Sequence, residues 1–206
     1  MSLQKASLLI LVVLLIDQIS KIYIKTHFVL GEDIVVFDWF RIYFIENEGM
    51  AWGTKISDFT SLITDRTAKV ILTVFRIFAI FGIGYWLHYT IKNKGHFTLI
   101  LAIALIFAGA LGNILDSVFY GVIFNDSHGQ IASFLPAEGG YDGFLHGKVV
   151  DMLYFPIWKG YLPEWLPIWG GKYFTFFEPV FNVADVAIST GFVLLLLFNQ
   201  KAFPKS

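Results

Sequence analysis

The sequence predicts an all-α membrane protein with four transmembrane helices, a small extracytoplasmic β-sheet and an interfacial aromatic segment. Of the 206 residues, 56% are hydrophobic and only 15% are charged, and the mean hydropathy is +0.66. These values lie well outside the usual range of a soluble domain. Four windows approach or exceed the roughly 20 apolar residues that a membrane helix needs. They are residues 5–24, 68–89, 97–120 and 179–200.

The first and last windows need separate arguments. The first follows Lys5 and has the hydrophobicity of a secretory signal peptide, but no small-x-small cleavage site comes after it. We therefore expect an uncleaved span. The last window follows Glu178, and proline is favoured at the first position of a helix. The predicted fourth helix therefore begins at Pro179, which places Asp185 about 9 Å below its start.

The loop charges predict the orientation of the spans. Lysines follow the second window and the fourth window: Lys92, Lys94, Lys201 and Lys205. Loops rich in lysine face the cytoplasm, so both termini are expected to be cytoplasmic and segments 28–66 and 122–178 to lie outside. No linker or repeat divides the chain. Residues 1–206 are therefore expected to form a single integral membrane domain.

The two outer segments differ in composition. The first contains IVVFDWFRIYFI, whose β-branched and aromatic residues alternate in part and predict a small sheet on the membrane surface. The second begins with a polar insertion, residues 122–148, to which the sequence gives no role. Its aromatic half, residues 154–177, is typical of a membrane interface, and its prolines and glycines argue against one continuous helix.

Composition also excludes several classes of function. The chain has no cysteine, so it has no disulfide, no thiolate metal site and no cysteine nucleophile. The net charge is −1 with no basic stripe, which excludes nucleic-acid binding. His128 and His146 lie near acids, but their spacing matches no metal-ligand pattern. We expect neither a metal nor a cofactor.

Two acids indicate the chemistry. Asp151 in VVDMLYF and Asp185 in FNVADVAISTG each stand at the edge of an apolar segment. A charge inside a bilayer costs roughly 2.5–3.5 kcal/mol, so such a residue is by default functional and has a partner nearby. Two carboxylates held together do not both ionise cheaply, so one keeps a proton. The pair is suited to hydrolysis by an activated water.

Other polar residues are candidates for supporting roles. Asp17 and Lys21 are spaced i, i+4 and predict an ion pair in which Lys21 reaches outward. Asn47 and Gly49 lie in an outer turn, where turn chemistry alone can account for them.

An Asn-x-x-Asp pattern occurs in both the third and the fourth window. Residues three apart share a helix face, so Asn113 is predicted to lie beside Asp116 and Asn182 beside Asp185. Each of these acids would then have a hydrogen-bonding neighbour in its own helix.

The residues alone leave three classes open: an intramembrane hydrolase, a proton-coupled transporter and a non-catalytic scaffold. A transporter is expected to place its acids near the midplane of the membrane. Here the acids gather toward the outer side, where both water and a lipid-embedded substrate can reach them. This placement favours the hydrolase.

Five motifs in order resemble the lipoprotein signal peptidase (signal peptidase II) family. They are DQISK (17–21), NEGMAWG (47–53), AGALGNILDS (108–117), VVDML (149–153) and FNVADVAISTG (181–191). The resemblance implies a multi-pass aspartic endopeptidase of the bacterial inner membrane with its active site on the periplasmic side. It would remove signal peptides from prolipoproteins by cutting before a diacylglyceryl-modified cysteine. The implied partners are lipid-modified prolipoproteins and membrane lipid, and a monomer is expected.

The resemblance also implies roles for single residues. Asp151 and Asp185 match the catalytic pair. The positions that match substrate-binding or dyad-supporting sites are Asp17, Lys21, Asn47, Gly49, Asn113, Asp116 and Asn182. The chain departs from the family where an arginine usually follows the acid of the third span, because Ser117 stands there. Lys148 or Arg41 is the expected substitute for that cation.

Overall fold

The computed structural model describes residues 1–48 and 64–198. The helices are α1 (Leu3–His27), α2 (Asp65–Lys92), α3 (Phe97–Ile123) and α4 (Val183–Leu197). The strands are β1 (Asp33–Phe37), β2 (Phe40–Asn47), β3 (Val149–Tyr154), β4 (Trp158–Tyr161), β5 (Tyr173–Phe176) and β6 (Val180–Phe181).

Three helices, α1, α2 and α3, are long and apolar enough to cross a membrane. They confirm the first three predicted windows and extend each of them by a few residues. The fourth helix is also apolar but has 15 residues in the part of the chain that is described. A fourth membrane span therefore stays a prediction.

The predicted start of the fourth helix is wrong. Val180 and Phe181 pair with β3 as the short strand β6, and the helix begins only at Val183. The reason is the capping box at Asn182, which is a stronger start signal than the proline before it. Asp185 consequently lies in the first turn of α4, roughly 4 Å from its start, rather than a further turn down the helix.

Helix α3 is the centre of the helical part and packs against α1, α2 and α4. Many of its buried residues are small, among them Ala102, Ala104, Ala108, Gly109 and Gly112. A Cβ atom added at Gly109 would lie 2.2 Å from the carbonyl oxygen of Ala184 in α4. The backbones of α3 and α4 therefore touch, as is common where small residues face each other in membrane helices.

The predicted small sheet is confirmed. Strands β1, β2, β3 and β6 form it in that order, and each neighbouring pair is antiparallel. One apolar cluster joins the sheet to α1 and α3 and comprises Ile24, Phe28, Phe44, Tyr120, Phe124, Val150 and Met152. Burying a large apolar side chain contributes about 1.5–3 kcal/mol, so this cluster fixes β3 firmly against the two helices.

The aromatic segment forms an antiparallel hairpin of β4 and β5 rather than one helix, as its prolines and glycines predict. Its exposed rings include Trp158, Tyr161, Trp165, Trp169, Tyr173 and Phe176. The polar insertion packs directly on α3. The backbone N–H of Gly147 donates to the carbonyl of Ser117 at 2.9 Å, and a Cβ at Gly147 would lie 2.0 Å from the carbonyl oxygen of Asp116.

Candidate active site

Asp151 lies in β3, between β2 and β6, opposite Ile45 of β2. It is only 2% exposed. Its Oδ1 accepts a hydrogen bond from Nδ2 of Asn182 at 2.7 Å, and its Oδ2 accepts a longer one from Nδ2 of Asn47 at 3.4 Å. Burial, and then the charge of Asp185, raise the pKa of Asp151 to about 7. An acid with this pKa can hold a proton near neutral pH.

Asp185 reaches the same place from the first turn of α4. Its Oδ2 accepts from the backbone N–H of Asn182 at 3.2 Å, while Oδ1 of Asn182 accepts from the backbone N–H of Asp185 at 2.9 Å. Its Oδ1 accepts from Nδ2 of Asn113 at 2.9 Å. Asn182 therefore contacts both acids, Asp151 through its amide nitrogen and Asp185 through the capping box.

A buried charge cluster supports this pair from α1 and α3. Nζ of Lys21 lies 2.8 Å from Oδ2 of Asp17, 2.8 Å from Oδ2 of Asp116 and 2.8 Å from Oδ1 of Asn113. Gln18 donates to both Asp17 and Asp116 at 3.1 and 2.9 Å. A buried lysine with two carboxylates satisfies its three donor positions here, as a charge removed from water requires.

The cluster also holds the two elements that carry the candidate acids. Oδ1 of Asp17 accepts the backbone N–H of Ala184 in α4 at 2.9 Å. Oδ2 of Asp116 accepts the backbone N–H of Val150 in β3 at 3.4 Å. Each acid of the cluster is thus bonded to the residue just before Asp185 or just before Asp151.

The predicted contacts are partly confirmed. The ion pair of Asp17 and Lys21 is present, but Lys21 does not reach outward: it is fully buried, because Asp116 supplies a second carboxylate inside the protein. Asn182 bonds Asp185 as predicted. Asn113 is different, because its described side-chain hydrogen bonds go to Lys21, Asn182 and Asp185 rather than to Asp116.

Of the two predicted residues in the outer turn, the structure describes Asn47 but not Gly49. Asn47 ends β2 and donates to Asp151. Gly49 lies outside the described residues. Within residues 1–48 and 64–198, no three His, Cys, Asp or Glu side chains are grouped so that they could hold a metal ion.

A family model described as signal peptidase II matches residues 9–200 of the chain. The chain belongs to the signal peptidase II family. Lipoprotein signal peptidases from two strains of Porphyromonas gingivalis are 48% identical over 190 residues, which cover 92% of this chain and 80% of theirs. That of Amoebophilus asiaticus is 35% identical and covers 91% of this chain and 74% of its own length.

Solved structures agree with the fold of this signal peptidase II. One described as a bacterial membrane enzyme is 25% identical, aligns with a TM-score of 0.61 and covers 97% of this chain and 94% of its own. A second, with the same description, is 23% identical with a TM-score of 0.58 and shares the fold. The protein is accordingly a bacterial membrane hydrolase of the aspartic protease type that acts in lipoprotein processing. This membership favours the hydrolase over the transporter and the scaffold.

Helices α2, α3 and α4 of this signal peptidase II line a half-open cavity of about 230 Å³ beside Asp185. Its lining is mostly apolar and comprises Arg76, Ala79, Ile80, Ile83, Ala110, Asn113, Ile114, Asp185 and Ile188. Sequence reasoning missed Arg76. The signal was available, because a lone arginine in the second apolar window carries the same cost as a lone aspartate.

The substitutes expected for the family's arginine are placed elsewhere. Arg41 forms an ion pair with Asp33 at 2.8 Å within the sheet, and Nζ of Lys148 lies 3.6 Å from Glu46. Ser117 itself is buried and donates to the carbonyl of Asn113 at 2.9 Å. The cation that lines the cavity with Asp185 comes from α2 instead.

Proposed function

We propose that this signal peptidase II removes signal peptides from prolipoproteins by cutting before a diacylglyceryl-modified cysteine, with Asp151 and Asp185 as its catalytic pair. The observation that supports the pair best is the double contact of Asn182. One amide side chain bonds the acid of β3 and caps the helix that carries the other acid. Two acids from elements that are distant in sequence therefore meet around a single residue.

The chemistry follows from two carboxylates that share one proton. The ionised carboxylate takes a proton from a water whose oxygen attacks the carbonyl carbon of the scissile peptide bond, and the protonated carboxyl gives its proton to the carbonyl oxygen. In the second half, the C–N bond breaks and the leaving nitrogen receives the proton first taken from water. The diol returns the other proton, so the pair ends as it began.

The proposal includes the surroundings of the site. We place it at the periplasmic face of the inner membrane, with both termini in the cytoplasm, α4 as the fourth span and a monomer as the working unit. The cavity beside Asp185 supports an entry from lipid, because its lining is apolar apart from Arg76, Asn113 and Asp185. The substrate class is a lipid-modified prolipoprotein, whose acyl chains stay in the membrane.

The test is cleavage of a diacylglyceryl-modified prolipoprotein by the purified protein in detergent. Asp151→Asn and Asp185→Asn are each expected to lower kcat/KM by about 10³-fold or more. When two residues act as a unit, removing either one costs most of the activity. Asp142→Asn is the matched control, because Asp142 pairs with Arg66 away from the site. Its activity is expected to equal that of the wild type. Activity within tenfold of the wild type in either folded dyad variant would refute the pair.

A further inference from the structure

The two acids have unequal surroundings. Asp185 lies at the third position of α4, where the positive end of the helix dipole favours a negative charge. Both of its oxygens accept hydrogen bonds, at 2.9 and 3.2 Å. Asp151 lies in a strand without such a dipole, and one of its two hydrogen bonds is as long as 3.4 Å. The helix position favours charge on Asp185.

The directions of the surrounding hydrogen bonds point the same way. Lys21 can only donate, so the amide oxygen of Asn113 faces it and the Asn113 nitrogen must face Asp185. Asn113 is thereby fixed as a donor to Asp185. Hydrogen bonds link Lys21 to Asn113 and Asn113 to Asp185. Their direction favours a negative charge on Asp185.

Arg76 adds a full positive charge on the other side of Asp185. Both residues line the cavity between α2, α3 and α4, and they attract each other electrostatically. Among the residues that line this cavity, Arg76 is the cation and Asp185 the acid. In an apolar cavity such an attraction is weakened less by solvent than it would be at a protein surface.

We propose that Arg76 is a positioning residue that keeps Asp185 ionised, so that Asp185 is the base of the proposed dyad and Asp151 is the acid. The assignment rests on the proposed function and adds the division of labour between the two carboxylates. Asp185 takes the proton from water, and Asp151 gives its own proton to the carbonyl oxygen. Arg76 takes over, from α2, the position of a cation near the dyad that Ser117 leaves vacant on α3.

Other charged groups near Asp185 do not reverse this order. From α1 and α3 it is faced by the cluster of Lys21, Asp17 and Asp116, whose lysine lies on the Asn113 side. From β3 it is faced by Asp151, which holds the proton in this assignment. Among the residues that the structure describes, the other cation beside Asp185 is Arg76 from α2.

The test is the pH profile of kcat/KM for Arg76→Gln and Arg76→Lys on the same lipid-modified prolipoprotein. Removing an opposite charge raises the pKa of a carboxyl, by about one unit or more at close range. The acidic limb of the Arg76→Gln profile is therefore expected to move up by about one pH unit, with activity lost more at pH 6 than at pH 8. Arg76→Lys is expected to keep the limb in place.

Arg66→Gln is the matched control, because Arg66 is exposed, lies in the first turn of the same helix and pairs with Asp142. Its profile is expected to match that of the wild type. An unmoved limb in folded Arg76→Gln, or an equal shift in Arg76→Lys, overturns the assignment. If Arg76→Gln does not purify as a folded protein, Ala79→Lys in the wild-type chain adds a cation to the same cavity. The limb should then move to lower pH, and an unmoved limb again overturns the assignment.

The outcomes separate the two proposals. One outcome is that Asp151→Asn and Asp185→Asn are inactive while the acidic limb of Arg76→Gln does not move. This outcome supports the dyad and refutes only the assignment of Asp185 as base and Asp151 as acid. Near-normal activity in either Asp→Asn variant removes the dyad itself.

Discussion

Asn182 shows how much one side chain can determine. Its oxygen accepts the backbone N–H of Asp185, which leaves its nitrogen to face Asp151 at 2.7 Å and Asn113 at 3.1 Å. An aspartate at position 182 would add a third carboxylate to the site beside Asp151 and Asp185. A serine would be too short to reach Asp151. The residue thus caps a helix and spaces two acids, and both tasks depend on the same amide orientation.

The buried state of Asp151 makes stability depend on pH. The pKa of Asp151 is about 7 in the folded protein, because of burial and then Asp185, against about 4 for an exposed acid. Between these values the folded state binds a proton that the unfolded state lacks, so stability falls as pH rises through that window. Asp151→Asn removes this loss. Its melting temperature should exceed that of the wild type at pH 8, by a margin that narrows toward pH 5.

Asp142→Asn serves as a control of opposite sign in the same thermal melts. Although burial opposes it, the backbone N–H of Gly143 and the charges of Arg66 and His146 lower the pKa of Asp142. That acid contributes stability above its unfolded pKa, so its removal should not raise the melting temperature at pH 8. A melting temperature of Asp151→Asn that is equal to the wild type at every pH would contradict the buried, raised state of Asp151.

At the scale of residues, the sequence marked two candidate acids but did not give the partners that the structure places beside them. The cost of a charge in a membrane marks Asp151 and Asp185, and a spacing of four residues predicts the pair of Asp17 and Lys21. The partner of Asn113 could not be predicted from helix spacing. It is set by how α3, α1 and α4 pack, and that packing turns Asn113 toward Asp185. The packing of α2 against α3 brings Arg76 to the cavity.

Among the elements, the contact of α3 with α4 sets where Asp185 lies. Gly109 and Gly191 let the two backbones touch, since a Cβ at either position would meet a carbonyl oxygen of the other helix at 2.2 or 2.7 Å. Ala184, which faces Gly109, immediately precedes Asp185. The distance between these helices therefore determines the position of Asp185, one of the two candidate catalytic acids.

A single methyl group tests this contact. Gly109→Ala must push α4 away from α3, and overpacking of this kind costs about 1–3 kcal/mol. Displacing a catalytic group by about 1 Å can cost about 10²-fold in rate, so kcat/KM should fall at least tenfold with a lower melting temperature. Gly82→Ala is the control, because nothing lies within 4 Å of the added carbon. Wild-type activity in Gly109→Ala would show that the helices separate without moving Asp185.

The elements themselves were predictable to different degrees. Long apolar windows identified α1, α2 and α3, and β-branched and aromatic residues identified β1 and β2. The start of α4 was misplaced because a proline rule was applied alone. The local signal for the true start was the Asn-x-x-Asp pattern that forms the capping box at Asn182. The pairing of Val180 and Phe181 with β3 could not be predicted locally, because it depends on a strand much earlier in the chain.

As a whole, the molecule is organised around one polar junction where an apolar bundle meets a small sheet. Helices α1, α3 and α4 and strand β3 each contribute to it, while most of α1 and α2 presents exposed apolar side chains, including Phe75, Phe78 and Phe81. Such an exposed belt is what a lipid-facing surface requires. The order of the elements was predictable from hydropathy, but the junction was not, because it depends on contacts between residues up to 167 positions apart.

The proposed orientation in the membrane can be tested cleanly, because the chain contains no cysteine. Single substitutions Gln130→Cys, in the polar insertion, and Asn93→Cys, between α2 and α3, both lie at exposed positions. A membrane-impermeant thiol reagent should label Gln130→Cys in spheroplasts and Asn93→Cys only in inside-out vesicles. The cysteine-free wild type is the blank. The reverse pattern would invert the proposed topology and leave the dyad proposal untouched.

The position of the capping box in the chain affects when the site can form during synthesis. Asp185 and Asn182 belong to α4, the last helix to leave the ribosome among those that build the site, whereas Asp151 and its supporting lysine cluster are translated earlier. A nascent chain that has been synthesised through α1, α3 and β3, but not yet α4, contains only one of the two acids. On the proposed dyad, proteolytic activity is expected to begin only when α4 has docked against α3, so an unfinished chain should not cut other membrane segments during its own synthesis.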